Sequence, residues 1–206
     1  GPNGAGKTTL FNIIAGVFPP SSGTVVLDGE DVTGLKPHQL FRRGLVRTFQ
    51  IAHEYSSMPV VENLMVVPPH QHGETLAWSW LNWSTVRREE AEIRARAEDV
   101  LAFLRLTDLK YELAGNLSGG QKKLLELGRT MMTDAKVVLL DEVGAGVNRT
   151  LLGELSSDIE RLNRERGYTF FVIEHDMDLI ARLCDPVIVM AQGSVLTQGT
   201  MAEIRA

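Results

Sequence analysis

The sequence opens with GPNGAGKTT (Gly1–Thr9), which fits the pattern G-x-x-x-x-G-K-[ST]. Glycine at Gly4 and Gly6 permits backbone geometries that a side chain would obstruct, so successive N–H groups can turn inward toward phosphate oxygens. A helix starting at the end of the loop adds the positive end of its dipole. In such a loop the Lys7 ammonium reaches the β- and γ-phosphates of a nucleotide, and the Thr8 hydroxyl ligates Mg²⁺. The residues expected to hold the phosphates are Gly1, Pro2, Asn3, Gly4, Ala5, Gly6, Lys7, Thr8 and Thr9.

This loop alone does not choose among the classes of nucleotide-binding protein. In a chain of 206 residues, average residue frequencies give a chance match with a probability of about 1 in 100. A phosphate-binding loop is therefore favoured over an ordinary glycine-rich turn. Kinases, switch GTPases and transporter ATPases all use such a loop, so other motifs must decide.

The composition sets broad limits on function. The length allows one substantial core, or one core with a small subdomain, and the hydrophobic share of 44% is ordinary for a globular protein. A formal net charge of -5 argues against broad nucleic-acid binding. The single cysteine, Cys184, cannot form an internal disulfide or a multi-cysteine metal site, and it fits a reducing, cytoplasmic setting. No apolar run approaches the roughly 20 residues that cross a bilayer, so membrane association is expected to come through partners.

Strand-like and helix-like segments alternate along most of the chain, which predicts an α/β fold with a mostly parallel sheet. Together with the loop, this pattern predicts a P-loop NTPase (RecA-like) core. The strand that precedes the loop in this fold is expected to lie outside the sequence. The first helix is predicted over Lys7–Ala15, ending at Gly16. The predicted strands are Thr24–Leu27, Leu45–Thr48, Val137–Leu140, Thr169–Ile173 and Pro186–Met190, the last three of the buried kind, and an edge hairpin turns at Gln192-Gly193 into Ser194–Thr197.

The middle of the chain has a different character. From about His70 to Thr107 there is little strand signal, and Thr85–Leu106 is charged and helical with one apolar stripe. We predict an α-helical subdomain inserted between two halves of the core. The predicted domains are 1–68 for the first half of the core, 69–134 for the helical subdomain, and 135–206 for the second half of the core.

A second phosphate-binding feature lies in this subdomain. Leu117–Gln121 reads LSGGQ and is followed by an apolar-periodic helix. Small residues and backbone N–H groups at a helix start can bind an anion, and a second such site suits a γ-phosphate presented by another chain across a two-fold dimer. The alternative is a polar helix cap on a plain turn. The residues involved are Ser118, Gly119, Gly120 and Gln121.

Polar side chains end several of the predicted strands. VVLLDE places Asp141 where it can hold Mg²⁺, directly or through water, and Glu142 where it can polarise a water that attacks the γ-phosphate. Gln50 follows the strand Leu45–Thr48 and is a candidate contact for Mg²⁺ or for the attacking water. His175 follows Thr169–Ile173 and is a candidate hydrogen-bond partner of the γ-phosphate. Taken singly, Gln50 and His175 are ordinary strand-end residues; their order among the other motifs favours the functional role.

Taken together, these motifs resemble the ABC ATPase family, and the resemblance covers essentially the whole chain. It implies that two subunits face each other head to tail and bury two ATP molecules between one phosphate loop and the opposite LSGGQ. It implies further that Glu142 is the catalytic base, that His175 orients it, and that Gln50 links ATP to membrane subunits. The aromatic residue that stacks on adenine is then expected on a strand preceding Gly1.

Three segments are similar to a narrower group, the ATPases of branched-chain amino acid importers and their urea or amide relatives. They are Phe11–Gly23, Gly34–Gln50 and Ile173–Ile180. This resemblance implies two membrane permease subunits, an extracytoplasmic substrate-binding protein, and a peripheral position on the cytoplasmic face of the plasma (inner) membrane.

The chain departs from the family pattern in the loop after Glu142. Val143 and Arg149 stand where the family usually has proline, and Asn148 stands where many members have aspartate. In the family this loop touches the opposite subunit, so Arg149 bears on dimer contacts and leaves the nucleotide site unaffected.

Two segments and the function itself each have an alternative interpretation. Trp78, Trp80 and Trp83 either pack the helical subdomain or lie near permease loops or the membrane surface. Met58–Val67 either receives a permease helix or belongs to the core. The alternative function is that of an ABC ATPase acting on ribosomes or nucleic acid. The short interval between the loop and LSGGQ disfavours the members with long coiled coils, and the single cysteine disfavours those with zinc sites.

Overall fold

The computed structural model describes residues 4–48, 54–68 and 83–205. The chain divides into two compact units. The first consists of Gly1–Gln50 with Ala135–Ala206, and the second is Ile51–Asp134. Among the described residues no helix combines the length and the apolar character needed to cross a membrane.

The first unit alternates strands and helices, as the sequence pattern predicts. Its N-terminal part contains helix α1, Lys7–Ile14, strands β1, Val26–Leu27, and β2, Glu30–Asp31, helix α2, Pro37–Phe41, and strand β3, Leu45–Arg47. Its C-terminal part contains β4, Val137–Asp141, α6, Arg149–Arg166, β5, Thr169–Ile173, α7, Met177–Leu183, β6, Val187–Ala191, β7, Ser194–Gly199, and α8, Met201–Arg205. Three helices between these two parts of the sequence belong to the second unit: α3, Val60–Met65, α4, Trp83–Phe103, and α5, Gly119–Met131.

Three strands form the parallel sheet that the site depends on. Their order is β3-β4-β5, with β4 in the centre; Leu45 is aligned with Val137, and Val137 with Thr169. Strands β1 and β2 form an antiparallel hairpin, as do β6 and β7. The two hairpin turns, Asp28-Gly29 and Gln192-Gly193, have positive φ at both residues, the backbone that two-residue hairpin turns require. The hairpin expected at the C-terminal edge is therefore confirmed.

The core of the first unit lies between α1 and the sheet. Phe11 is fully buried, and its ring packs on Phe171 of β5 with centroids 4.8 Å apart. Burial of a side chain of this size stabilises the fold by about 1.5–3 kcal/mol, and it fixes α1 against the strands that carry the polar side chains. Helix α1 ends where the sequence predicts: at Gly16, φ is +71°, and a Cβ would lie 2.2 Å from the carbonyl oxygen of Leu35.

Two strands are less buried than the sequence predicts. In β5 only Ile173 is buried, and in β6 Ile188 is 42% exposed. Both strands border a cavity of about 820 Å³, which Lys7, Leu10 and Phe11 of α1 also line. Continuous apolar runs predict burial on both faces, whereas here part of each strand borders this cavity.

The second unit is helical. It contains α3, Val60–Met65, α4, Trp83–Phe103, two 3₁₀ turns, Thr107–Leu109 and Ala114–Asn116, and α5, Gly119–Met131. Helix α3 packs on α4 and α5. Gly128 of α5 allows the close approach, because a Cβ there would lie 2.9 Å from Leu104 and 3.2 Å from Leu64. The predicted apolar stripe is buried at Ala97, Val100 and Leu101 of α4 and at Leu104, which directly follows the helix.

The second unit begins earlier than residue 69, where the sequence placed the start of the helical subdomain. It includes α3 because Val60, Val61 and Leu64 are buried against the other helices. The apolar content of Met58–Val67 is therefore largely core. Trp78 and Trp80 lie outside the described residues, and Trp83 is the first residue of α4.

Candidate functional site

The glycine-rich loop has the backbone that anion binding requires. Gly4 and Gly6 have φ of +76° and +91°, in the left-handed region that favours glycine. Gly6 is the N-cap of α1 and makes no side-chain cap, so the first-turn amides of α1 are presented at the open end of the helix. Thr8 and Thr9 are exposed and Lys7 is half-buried. Gly1, Pro2 and Asn3 lie outside the described residues.

The turn between β6 and β7 contacts this loop, which the sequence did not predict. The Gly193 N–H donates to the Ala5 carbonyl oxygen at 3.1 Å. A Cβ on Gly6 would lie 3.2 Å from the Gly193 Cα. Glycine is therefore needed at Gly6 both for its φ and for this close approach. A turn glycine distant in sequence gives no signal of such a contact.

Asp141 ends the central strand β4 and is almost fully buried. Its side chain is 5% exposed, and Arg47 Nη2 of β3 donates to its Oδ2 at 3.1 Å. Arg47 Nη1 also donates to Asn12 Oδ1 on α1. One guanidinium thus connects the helix that follows the phosphate loop to the carboxylate at the end of β4. Arg47 was not among the predicted site residues, although its position near the end of a predicted strand was an available signal.

Glu142 and His175 are brought together, although 33 residues separate them. His175 Nε2 lies 2.8 Å from Glu142 Oε1, which makes the ring nitrogen the donor to this carboxylate. The pair results from the parallel pairing of β4 and β5, which aligns Asp141 with Ile173. Glu142 has φ of +50°, and its N–H donates to the Ile173 carbonyl oxygen at 2.9 Å. A non-glycine residue in this region carries a strain of about 1–3 kcal/mol and persists only where its surroundings hold it.

The donor set does not form an all-protein metal cage. Among residues 4–48, 54–68 and 83–205, no cluster of three or more His, Cys, Asp or Glu side chains could hold a metal ion. Magnesium bound with a nucleotide needs only one or two carboxylates besides phosphate oxygens and water. The buried Asp141 and the exposed Thr8 hydroxyl fit that smaller requirement. Gln50, the third predicted ligand and a predicted contact of the attacking water, lies outside the described residues.

The LSGGQ segment starts helix α5 of the second unit. Ser118 is the N-cap, with its Oγ accepting from the Gln121 N–H at 3.3 Å and Gln121 Oε1 accepting from the Ser118 N–H at 2.9 Å. The polar helix cap considered above is therefore present. It leaves Ser118 and Gly119 exposed and buries Gly120. The start of α5 is thus accessible to a ligand or to another chain.

The loop after Glu142 leads directly into α6. Val143 is buried, and Asn148 caps α6 by accepting from the Leu151 N–H at 3.0 Å. An asparagine is among the preferred N-caps, which gives Asn148 a structural role. Arg149 is the first residue of α6 and is exposed.

This arrangement is the architecture of a P-loop NTPase: a glycine-rich loop precedes α1, and the parallel strands end in a buried aspartate and a Glu–His pair. Comparison with known proteins narrows this class. The family model for ABC transporters matches residues 1–145. The chain belongs to the ABC transporter ATP-binding family, and it is an ATPase.

Curated relatives match over nearly the whole chain. A probable branched-chain amino acid transport ATP-binding protein, LivG, from Archaeoglobus fulgidus is 41% identical over 99% of this chain and 78% of its own length. The high-affinity branched-chain amino acid transport ATP-binding protein BraF of Pseudomonas aeruginosa is 40% identical over 100% of this chain and 80% of its own length.

Solved structures agree with the fold. The ATP-binding cassette MJ1267 of an ABC transporter, in its ADP conformation, superposes with a TM-score of 0.81 at 35% identity, covering 99% of this chain and 80% of its own. CbiO1 from Clostridium perfringens, part of the transporter complex cbiONQ, superposes with a TM-score of 0.82 at 28% identity, covering 100% of this chain and 76% of its own. The predicted family, fold class and ATPase activity are confirmed.

Proposed function

We propose that this chain hydrolyses ATP to drive import of branched-chain amino acids, with Glu142 as the general base. The main support for this mechanism is the 2.8 Å contact between His175 Nε2 and Glu142 Oε1, which lie just after two paired parallel strands. The substrate class is supported by the names of relatives about 40% identical over the whole chain. Urea and amides are the alternative cargo of this group.

Nucleotide binding falls to the loop Gly1–Thr9. The first-turn amides of α1 and the Lys7 ammonium neutralise the β- and γ-phosphates. Magnesium, when bound, would supply positive charge that offsets the negative charge developing on the phosphates during phosphoryl transfer. Thr8, Asp141 and Gln50 are the residues that would hold it, with Asp141 acting directly or through water.

Hydrolysis requires a base on the attacking water. The Glu142 carboxylate takes a proton from a water molecule as its oxygen bonds to the γ-phosphorus; the bond to the β–γ bridging oxygen breaks, and ADP and phosphate result. The His175 Nε2–H donates a hydrogen bond to Glu142 Oε1 and so holds that carboxylate in place. Glu142 is 28% exposed and His175 46%, so both side chains are reachable by water and nucleotide.

The second subunit of a dimer completes each site. In this proposal the exposed start of α5 contacts the γ-phosphate of the nucleotide bound to the opposite protomer. The residues at this helix start are Ser118, Gly119, Gly120 and Gln121. The Ser118 hydroxyl accepts one intrachain hydrogen bond and keeps its own proton to donate to a phosphate oxygen. The homo- or heterodimer then sits peripherally on the cytoplasmic face of the plasma (inner) membrane. Its partners there are two permease subunits and, across the membrane, a substrate-binding protein.

The test is reconstitution with the proposed partners, two permease subunits and a substrate-binding protein. The complex is placed in vesicles with ATP and Mg²⁺ on the side of the membrane that carries this chain, and with binding protein and labelled leucine on the opposite side. We expect ATP-dependent transport of the labelled leucine across the membrane. The Glu142→Gln complex should assemble and not transport. ATP-dependent transport of urea with none of leucine would overturn the substrate class, and undiminished transport by Glu142→Gln would overturn the role of Glu142.

A further inference from the structure

Glu174 is a buried carboxylate between β5 and His175 that the proposed chemistry does not use. It is 8% exposed. Burying a charge is costly unless it is hydrogen-bonded or paired. Within the part of the chain that the structure describes, its partners are backbone N–H groups and it forms no ion pair. Burial, and to a lesser extent the charge of nearby Glu174, raises the pKa of the Cys184 thiol.

Both oxygens of Glu174 are engaged, and each holds a different segment. Oε1 accepts from the Gly144 N–H at 2.6 Å, and Oε2 accepts from the His175 N–H at 3.0 Å. Gly144 lies two residues after Glu142, on the loop that leads to α6. One carboxylate therefore ties together the two backbone segments that carry the Glu142–His175 pair. Hydrogen bonds to a charged acceptor are worth roughly twice those between neutral groups.

The backbone conformation of Glu142 needs the support that these two hydrogen bonds provide. Glu142 holds a φ of +50°, a strained conformation that needs support from its surroundings. Its own N–H bonds to Ile173, and its carbonyl oxygen accepts from Ala145 at 3.1 Å. The absence of a side chain at Gly144 allows the Glu174 carboxylate to approach closely, since a Cβ there would lie 3.3 Å from Glu174 Oε1.

We infer that Glu174 is a positioning residue for ATP hydrolysis, fixing the loop that begins at Glu142 against His175 so that the base and its partner keep their 2.8 Å contact. The inference rests on the proposed role of Glu142. Glu174 does not touch the nucleotide in this assignment; it acts through Gly144 and His175. A loosened pair misplaces the base relative to the attacking water, which lowers kcat and leaves ATP binding by the phosphate loop intact.

The test is Glu174→Gln in the purified protein. The amide keeps the size of the side chain, but its NH₂ group faces one of the two N–H donors, so one hydrogen bond is lost. We expect kcat to fall about 10- to 100-fold, with KM for ATP within about twofold because the phosphate loop is untouched. Glu160→Gln is the matched control: Glu160 also accepts a hydrogen bond, from Arg182 at 2.7 Å, and contacts neither member of the pair. It should leave kcat unchanged.

A double-variant comparison separates positioning from general stability. In a His175→Ala background, Glu174→Gln should lower kcat far less than in the native protein, because the pair it positions is already broken. An equal loss in both backgrounds, or an unchanged kcat in Glu174→Gln, overturns the inference. If Glu142→Gln leaves hydrolysis unchanged, the proposed function itself fails. Should Glu174→Gln not fold, Gly144→Ala pushes on the same carboxylate and is expected to lower kcat several-fold; an unchanged kcat there also refutes the inference.

Discussion

Replacing Arg47 by methionine tests how the end of β4 is held. The guanidinium lies 3.1 Å from Asp141 Oδ2, with side-chain exposures of 16% and 5%. Opposite unit charges about 3 Å apart attract by about 5 kcal/mol at an effective dielectric constant near 20. Desolvation of both groups offsets part of this attraction. Removing one partner of a buried pair nonetheless costs about 3–5 kcal/mol, because the other charge stays buried and uncompensated.

Since Arg47 keeps some exposure, we expect Arg47→Met to lower the free energy of unfolding by about 3 kcal/mol. The assay is urea denaturation followed by circular dichroism, without nucleotide. If Asp141 holds the metal as proposed, the cost should be smaller with ATP and Mg²⁺ present, since a dication there would compensate the charge of Asp141. Arg43→Met is the matched control: Arg43 pairs with Glu30 at 3.6 Å, but both side chains are exposed, and the change should stay within about 0.5 kcal/mol.

A double-mutant cycle with Asp141→Asn decides whether the pair is responsible. If it is, Arg47→Met costs much less in the Asp141→Asn background, with a coupling energy of about 2 kcal/mol. A coupling below about 0.5 kcal/mol would refute the reasoning. The loss would then arise from the second contact of Arg47, with Asn12 on α1.

Four further outcomes are expected. Glu142→Gln should keep ATP binding and trap an ATP-bound dimer; an unchanged steady-state ATPase rate would remove Glu142 from catalysis. Ser118→Arg should leave monomer ATP binding intact and prevent dimerisation, and normal ATP-driven dimers in light scattering would contradict this. Gly6→Ala should weaken ATP binding about 10- to 100-fold in a nucleotide titration, because a side chain is strained at φ of +91° and its Cβ would lie 3.2 Å from the Gly193 Cα. Gly23→Ala, with φ of +85° and open space around it, is the control and should bind normally. Burial and a nearby carboxylate raise the pKa of Cys184 above its ordinary 9.0. The thiolate is thus scarcer near neutral pH, and alkylation of Cys184 should be slower than that of an exposed model thiol; equal rates would show that it is not shielded.

Local signals in the sequence determined the elements of the fold. The phosphate loop predicted a helix from Lys7, and Gly16 marked its end, because only a residue free to adopt positive φ fits that position. Likewise, Gln192-Gly193 marked a hairpin turn. The order of the motifs also identified Asp141, Glu142 and His175 as strand-end groups. Their meeting at one edge of the sheet follows from parallel pairing, since the carboxyl ends of parallel strands lie together.

Contacts between residues distant in sequence required the tertiary structure. The sequence did not predict that Arg47 would lie on Asp141, that Gly193 would support Ala5, or that both oxygens of Glu174 would be used. An apolar run indicates that a strand tolerates burial, but it does not identify what covers each face, and β5 and β6 border a cavity. Periodicity is a property of a few consecutive residues. Side-chain partners are set by how whole elements pack, and this packing decides which groups each carboxylate contacts.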